Sequence, residues 1–159
     1  KTGHSLIKNK MAESDCKLGG EMSGHIFFAD DYFGYDDAIY VGARLIQMLS
    51  KTDKTLSELR SVIPIYHSTP EIRLEAESDE EKFKIAKLAV EYFKKNHSCK
   101  TIDGVRIQYD NGWGLVRASN TQPVIVCRFE GNTPERMNEI KKVVLDKLQE
   151  FGTLNIEAY

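Results

Sequence analysis

No apolar stretch of this 159-residue sequence approaches the roughly 20 residues that a membrane-spanning helix requires, and no basic-then-apolar leader opens it. Cysteine is scarce: Cys16, Cys99 and Cys127 form no CxxC pair and leave an odd thiol, which excludes a disulfide scaffold and a zinc-finger spacing. The expectation is a cytoplasmic protein with structural thiols. A basic excess is also absent, since 22 Lys and Arg face 24 Asp and Glu for a net charge of −2. The balance holds on both sides of Ser68, with 8 basic against 9 acidic residues before it and 14 against 15 from it onward. An avid nonspecific polyanion binder is therefore disfavoured, because such proteins displace phosphate counterions with a cationic surplus. Internal repeats and low-complexity tracts are missing too. What remains, 41% hydrophobic and 29% charged residues, is ordinary globular composition for one domain or two small ones.

Proline and glycine punctuation divides the chain. Arg60-Ser-Val-Ile-Pro-Ile-Tyr-His-Ser-Thr-Pro70 has two prolines and neither a helical nor a strand period, which predicts a linker or hinge over 60–70 between segments 1–59 and 71–159. In the second segment Ile72, Leu74 and Ala76 alternate as in a half-buried strand. Ser78 and the acidic run after it start a helix whose apolar face reads Phe83, Ala86, Leu88, Ala89, Tyr92 and Phe93 and which ends near Lys94-Lys95-Asn96. Strand signals follow at Gly104–Tyr109, Gly114–Arg117 and Val124–Phe129, the first two joined by a hairpin turn at Asp110-Asn-Gly112. Thr133 and Pro134 open a last helix with a Met137, Ile140, Val144, Leu148, Phe151 stripe, and Gly152 stops it. The order β-α-β-β-β-α predicts an α+β domain, an antiparallel sheet with its helices on one face. The first segment has a helix over Ser5–Glu13, extended pieces near Lys17–Gly19 and Ile26–Phe28, and an apolar helix from Asp36 or Asp37 to Ser50. Two helices and two short strands hardly close a sheet, so this reads as the back half of a mixed α/β domain. The opening Lys1-Thr-Gly-His reads as the middle of a loop, and the expectation is a fragment of a longer chain.

Two loops carry polar residues with little local reason for them. In Gly19-Gly20-Glu21-Met22-Ser23-Gly24-His25 the glycines let backbone approach a ligand, while Glu21, Ser23 and His25 offer an acceptor, a two-way hydroxyl and a switchable donor. That mixture suits a hydroxyl-rich ligand such as a sugar; a glycine turn with incidental polar residues is the alternative. The serine does not stand in the Gly-x-Ser-x-Gly of a nucleophile elbow. In Arg117-Ala-Ser-Asn-Thr-Gln-Pro123 a guanidinium, two hydroxyls, an amide and several backbone N–H groups meet at one tight turn, a good oxyanion cradle without any lysine-based P-loop. Against it stands an Asx-type turn beside an Arg117 salt bridge. Asp30, Asp31, Asp36 and Asp37 could hold a hard cation, but Asp36 or Asp37 suits a helix N-cap better. His4 faces a ligand or caps the next helix. Tyr109, Trp113 and Phe129 lack the paired signature of an RNA-stacking sheet and read as packing.

Taken together, Lys1-Thr-Gly-His-Ser-Leu-Ile-Lys8, Gly20-Glu-Met-Ser-Gly-His25 and Arg117-Ala-Ser-Asn-Thr-Gln-Pro123 resemble, in order and separation, the C-terminal part of an α-D-phosphohexomutase of the phosphomannomutase/phosphoglucomutase branch. Gly112-Trp-Gly-Leu-Val116 and Val126-Cys-Arg-Phe-Glu130 extend the likeness along essentially the whole chain. The resemblance implies the end of a third domain in 1–59 and a fourth domain in 71–159. It implies that His4, Glu21, Ser23 and His25 contact sugar hydroxyls, and that Arg117, Ser119, Asn120 and Thr121 grip the phosphate that is not being transferred. The full-length enzyme would interconvert hexose 1- and 6-phosphates of glucose or mannose through a phosphoserine and glucose 1,6-bisphosphate, with Mg²⁺ held by upstream domains. No Asp-x-Asp-x-Asp for that metal occurs here, so the isolated chain is expected to be inactive. Expected partners are hexose phosphates and the upstream domains, with neither nucleic acid nor membrane. The other reading is a noncatalytic nucleic-acid or protein binding module, which a helix-backed sheet can equally serve.

Overall fold

The computed structural model describes residues 1–155, so the last four residues of the expected second domain lie outside the described residues. The chain divides into two compact units, Lys1–Pro64 and Ile65–Tyr159. Among the described residues no helix is long and apolar enough to cross a membrane.

The first unit opens with α1 (His4–Glu13) and the antiparallel pair β1 (Leu18–Gly20) and β2 (Ile26–Phe28). Met11 is the buried residue of α1, and it packs so tightly over β1 that a Cβ on Gly19 would sit 2.6 Å from its sulfur. Helix α2 (Ala38–Leu49) starts where Asp37 turns its carboxylate onto the Ile39 and Tyr40 amides, at 3.0 and 2.9 Å. This satisfies two of the orphan donors at the helix start, and the capping reading of the aspartates holds at Asp37. Asp30 pairs instead with Arg44 at 2.7 Å. The apolar stripe of α2 is present but no residue of the helix is buried; Ile39 is 87% exposed. Helix α3 (Leu56–Ser61) is set by a capping box in which Thr55 and Glu58 bond each other's backbone N–H. Thr55-Leu-Ser-Glu58 is the sequence form of that box, and α3 carries Arg60 and Ser61 into a segment expected to lack any period.

The second unit is a six-stranded antiparallel sheet with two long helices. Its strands are β3 (His67–Ser68), β4 (Ile72–Glu75), β5 (Cys99–Lys100), β6 (Val105–Tyr109), β7 (Gly112–Ala118) and β8 (Val124–Gly131). The hydrogen-bonded order is β3-β8-β7-β6-β5, and β4 also pairs with β8. Helices α4 (Asp79–Asn96) and α5 (Pro134–Gln149) start on the expected caps, Ser78 accepting from the Glu81 amide and Thr133 from that of Arg136. Ile72, Leu74, Val105, Ile107, Val116, Ile125, Cys127 and Phe129 of the sheet form one core with Ile85, Ala89 and Phe93 of α4 and Ile140, Val144, Leu145 and Leu148 of α5. Each such fully buried aliphatic or aromatic side chain contributes about 1.5–3 kcal/mol.

The hairpin turn forms where the sequence places it, and two details are added. Asn111 takes the positive φ of the hairpin turn, at 62°, whereas Gly112 is already in β7, where a Cβ would strike the Glu130 carbonyl and Ile140. Gly112 is there for close packing. The buried face of α4 is rotated from the one the sequence predicts: Lys82, Ile85, Ala89 and Phe93 point inward, and Phe83 is 54% exposed.

Candidate functional site

The polar residues of the two loops lie in different units, and each set is organised by contacts within its own unit. Around the β1–β2 turn, Gly24 adopts φ 90° and donates its N–H to the Glu21 carbonyl at 3.0 Å, while the Glu21 amide bonds the His25 carbonyl at 2.8 Å. That tight turn raises three side chains together. Ser23 Oγ lies 3.2 Å from Glu21 Oε2 and 2.6 Å from His25 Nδ1. His25 in turn sits between two carboxylates, with Nδ1 at 3.4 Å from Glu21 and Nε2 at 3.7 Å from Asp36. Ser23 has one proton to give: aimed at Glu21 it leaves lone pairs for an imidazole N–H, and aimed at His25 it leaves the carboxylate as acceptor. The set can thus exchange donor and acceptor roles toward vicinal hydroxyls without moving a heavy atom.

Glu21 Oε1 also accepts the backbone N–H of Gly3, at 2.8 Å, next to the first turn of α1. The Gly3 amide holds the Glu21 carboxyl below its ordinary 4.5; partial desolvation opposes this, and Ser23, His25 and His4 reinforce it. Glu21, Ser23 and His25 are thus in direct contact, while His4, the first residue of α1, acts on Glu21 through its charge alone. Asp36 and the Gly3 amide belong to the same cluster, although neither residue type in its local sequence announces that role.

In the second unit Arg117 lies one residue before the end of β7, and its Nη1 meets Asp103 Oδ2 at 3.4 Å. Gly104 lies opposite Arg117 with φ 69°, and a Cβ there would come within 2.7 Å of the Arg117 Cα. Asp103-Gly104 is thus the seat of the guanidinium, legible in sequence only as a turn signal. After β7 the chain turns through Ser119–Pro123. Buried Ser119 accepts from the Thr121 and Gln122 amides at 3.4 and 3.3 Å, and its own amide donates to the Val124 carbonyl at 3.0 Å. Both features of the bland alternative, a hydroxyl-closed turn and an arginine ion pair, are present. Neither uses up the donors: the Asp103 bond engages one guanidinium nitrogen, and Asn120 and Thr121 are exposed at the tip. A pocket of about 610 Å³ lined by Arg73, Glu75, Gln122 and Pro123 adjoins the turn. Lys82, absent from the sequence expectation, reaches the same turn from below, its Nζ 2.9 Å from the Gln122 carbonyl.

Among the described residues no three His, Cys, Asp or Glu side chains are grouped to hold a metal ion.

The second unit is a helix-backed antiparallel sheet with an arginine and hydroxyls near one turn, and a Glu-Ser-His hairpin precedes it in sequence. Comparison with known proteins gives the particular family. Residues 1–66 match phosphoglucomutase/phosphomannomutase, alpha/beta/alpha domain III, and residues 71–147 match phosphoglucomutase/phosphomannomutase, C-terminal domain. The chain belongs to the phosphoglucomutase/phosphomannomutase family, as the three motifs imply. It is 46% identical over 149 residues to a phosphomannomutase/phosphoglucomutase of Pseudomonas aeruginosa, covering 94% of this chain and 32% of that protein. A phosphoglucomutase of Neisseria gonorrhoeae is 42% identical over 143 residues, covering 89% and 31%. A crystal structure of a phosphoglucomutase/phosphomannomutase family protein from Burkholderia thailandensis superposes with a TM-score of 0.81 at 38% identity, covering 97% and 33%. The chain spans about a third of the length of the relatives it matches.

Proposed function

We propose that this chain supplies the sugar-contacting hairpin and the phosphate-receiving loop of a phosphohexomutase that interconverts hexose 1-phosphates and hexose 6-phosphates. The observation that carries the reading is the Glu21–Ser23–His25 set, whose members hold one another at 2.6 to 3.4 Å at an exposed turn and can donate or accept toward paired hydroxyls. In the proposed reaction a phosphoserine outside this chain gives its phosphoryl group to the free hydroxyl of the sugar phosphate. Glucose 1,6-bisphosphate or its mannose counterpart results. The sugar turns over, and its other phosphoryl group returns to the serine. The loop must then receive a phosphate from either end of the sugar, which a clamp of one guanidinium and several N–H and O–H donors does without reading the anomer. Arg117, Ser119, Asn120 and Thr121 are the clamp; Glu21, Ser23, His25 and His4 hold the ring. Mg²⁺, held by residues outside this chain, would neutralise charge at the transferring group. This chain alone therefore binds and does not turn over. Three free cysteines, Cys127 buried among them, suit the reducing cytosol.

Amide NMR of this chain titrated with glucose 1,6-bisphosphate, with sulfate as the anion control, tests the reading. Both loops should respond to the bisphosphate, with an affinity of about millimolar, or ~4 kcal/mol; only 117–121 should respond to sulfate. Shifts confined to other surfaces would refute it. A companion assay for hexose 6-phosphate formation should show turnover by the full-length protein and none by this chain.

A further inference from the structure

We propose that Lys82 is a positioning residue for the anion loop: its buried ammonium holds the Gln122 carbonyl inward and so fixes the turn Ser119–Pro123 in the shape that admits a phosphate. The proposal rests on the reading of that turn as a phosphate contact.

Lys82 is 1% exposed, although lysine stems ordinarily run along a surface to keep the charge in water. Removing an ammonium from water is strongly unfavourable unless its partners replace the lost hydration. The ion pair with Asp79 at 2.7 Å does not require burial, because the Asp79 side chain is 71% exposed and Lys87 pairs with Glu91 on the surface of the same helix. Nor does hydrophobic patterning require it. The helix turns lysine in and leaves the neighbouring Phe83 outside, its ring 4.6 Å from the ammonium. The inverted order makes sense through the third contact, the 2.9 Å bond from Nζ to the Gln122 carbonyl, forty residues further along the chain.

That carbonyl has two donors, since the Val124 N–H also reaches it at 2.8 Å. Both of its lone pairs are therefore engaged inside the turn, away from an approaching anion that a carbonyl oxygen would repel. Pro123 follows, and its own carbonyl is tied to the Ala76 amide at 2.9 Å. The turn is thus held from the sheet side by Ala76 and Val124 and from the helix side by Lys82.

The test titrates this chain with inorganic phosphate and reads the amides of 117–121, in wild type, Lys82→Met and Lys82→Arg, with thermal midpoints measured in parallel. The methionine keeps the stem and removes charge and donors. A folded Lys82→Met should show displaced loop amides before any phosphate is added and should bind phosphate about tenfold more weakly, the loss of one charged hydrogen bond. Lys82→Arg should recover most of that affinity even where its midpoint falls. Phosphate affinity within twofold of wild type in the methionine variant overturns the proposal. Should Lys82→Met not fold, the wild-type Nζ resonance decides: slow exchange and a shift on adding phosphate support the role, whereas exchange like a surface lysine overturns it. If the wild-type loop ignores phosphate, the phosphate reading of the loop fails by itself. The ligand-free loop amides of Lys82→Met then still uphold or overturn the holding of Gln122.

Discussion

Gly104→Ala should destabilise the Ile65–Tyr159 unit by about 2–5 kcal/mol and remove the anion response of the loop with it. Two effects combine. An L-residue held at φ 69° costs about 1–2 kcal/mol relative to glycine. The new methyl would also lie 2.7 Å from the Arg117 Cα and Cβ and within hard contact of the Val116 carbonyl oxygen. Two of these three atoms are backbone of a paired strand, so no side chain can swing aside. Relief requires β6 and β7 to part at Val105 and Val116, losing one or two ladder bonds worth roughly 0.5–1.5 kcal/mol each. Against a total stability of about 5–15 kcal/mol this is a large fraction. The assay is urea unfolding followed by Trp113, the chain's single tryptophan, which sits on β7 and so reports this unit. Gly24→Ala is the control: φ there is 90°, but no heavy atom lies within 4 Å of the added Cβ, so backbone strain acts alone and Trp113 should not sense it. A loss below about 1 kcal/mol for Gly104→Ala, with sulfate still shifting 117–121, would refute the reasoning.

Glu21→Gln should abolish the bisphosphate response at residues 20–25 while the sulfate response at 117–121 persists; simultaneous loss of both in NMR would contradict the separate ordering of the two loops. The depressed carboxyl of Glu21 sets a pH dependence. Because its folded value lies below the unfolded one, its contribution is present above about 4.5 and is lost as pH falls through the folded value, so the Gly3 amide shift should titrate with a midpoint below 4.5. A midpoint at or above 4.5 would show that the Gly3 bond does not form. Burial pushes the Cys127 thiol up and, less strongly, that of Cys99, while Cys16 is exposed. A thiol reagent at neutral pH should therefore label Cys16 first and Cys127 only on unfolding, and early Cys127 labelling by mass spectrometry would mean the sheet core is open.

The strongly patterned parts of the fold were legible because local chemistry and burial agree there. Ser78, Thr133 and Asp37 cap the helices expected of them, and the Ile140, Val144, Leu148 stripe is the buried face of α5. Strands β3 and β5 hold two residues each, too short for any alternation to show, and they exist through pairing with β8 and β6. Apolar patterning misplaces the face of α4 around Phe83 because it counts an aromatic ring as core and a lysine as surface; the bond to a carbonyl forty residues away reverses both. The site residues were legible as types: Glu21, Ser23 and His25 meet at one turn, and Ser119 closes the turn that carries Asn120 and Thr121, while Arg117, at the end of the preceding strand, pairs with Asp103. What orients them was not legible. Asp36, the Gly3 amide and Asp103 act through space, and nothing in their own neighbourhood of sequence distinguishes them from ordinary loop residues.

The hairpin takes its order from Gly3 and Asp36, the Ser119–Pro123 turn from Lys82 and Val124, and Arg117 from Asp103, each set inside its own unit. The pair is therefore modular in an engineering sense. The contacts that shape the Ser119–Pro123 turn all lie within residues 65–155, so that turn can be redesigned or transplanted without disturbing the hydrogen bonds of the 21–25 hairpin.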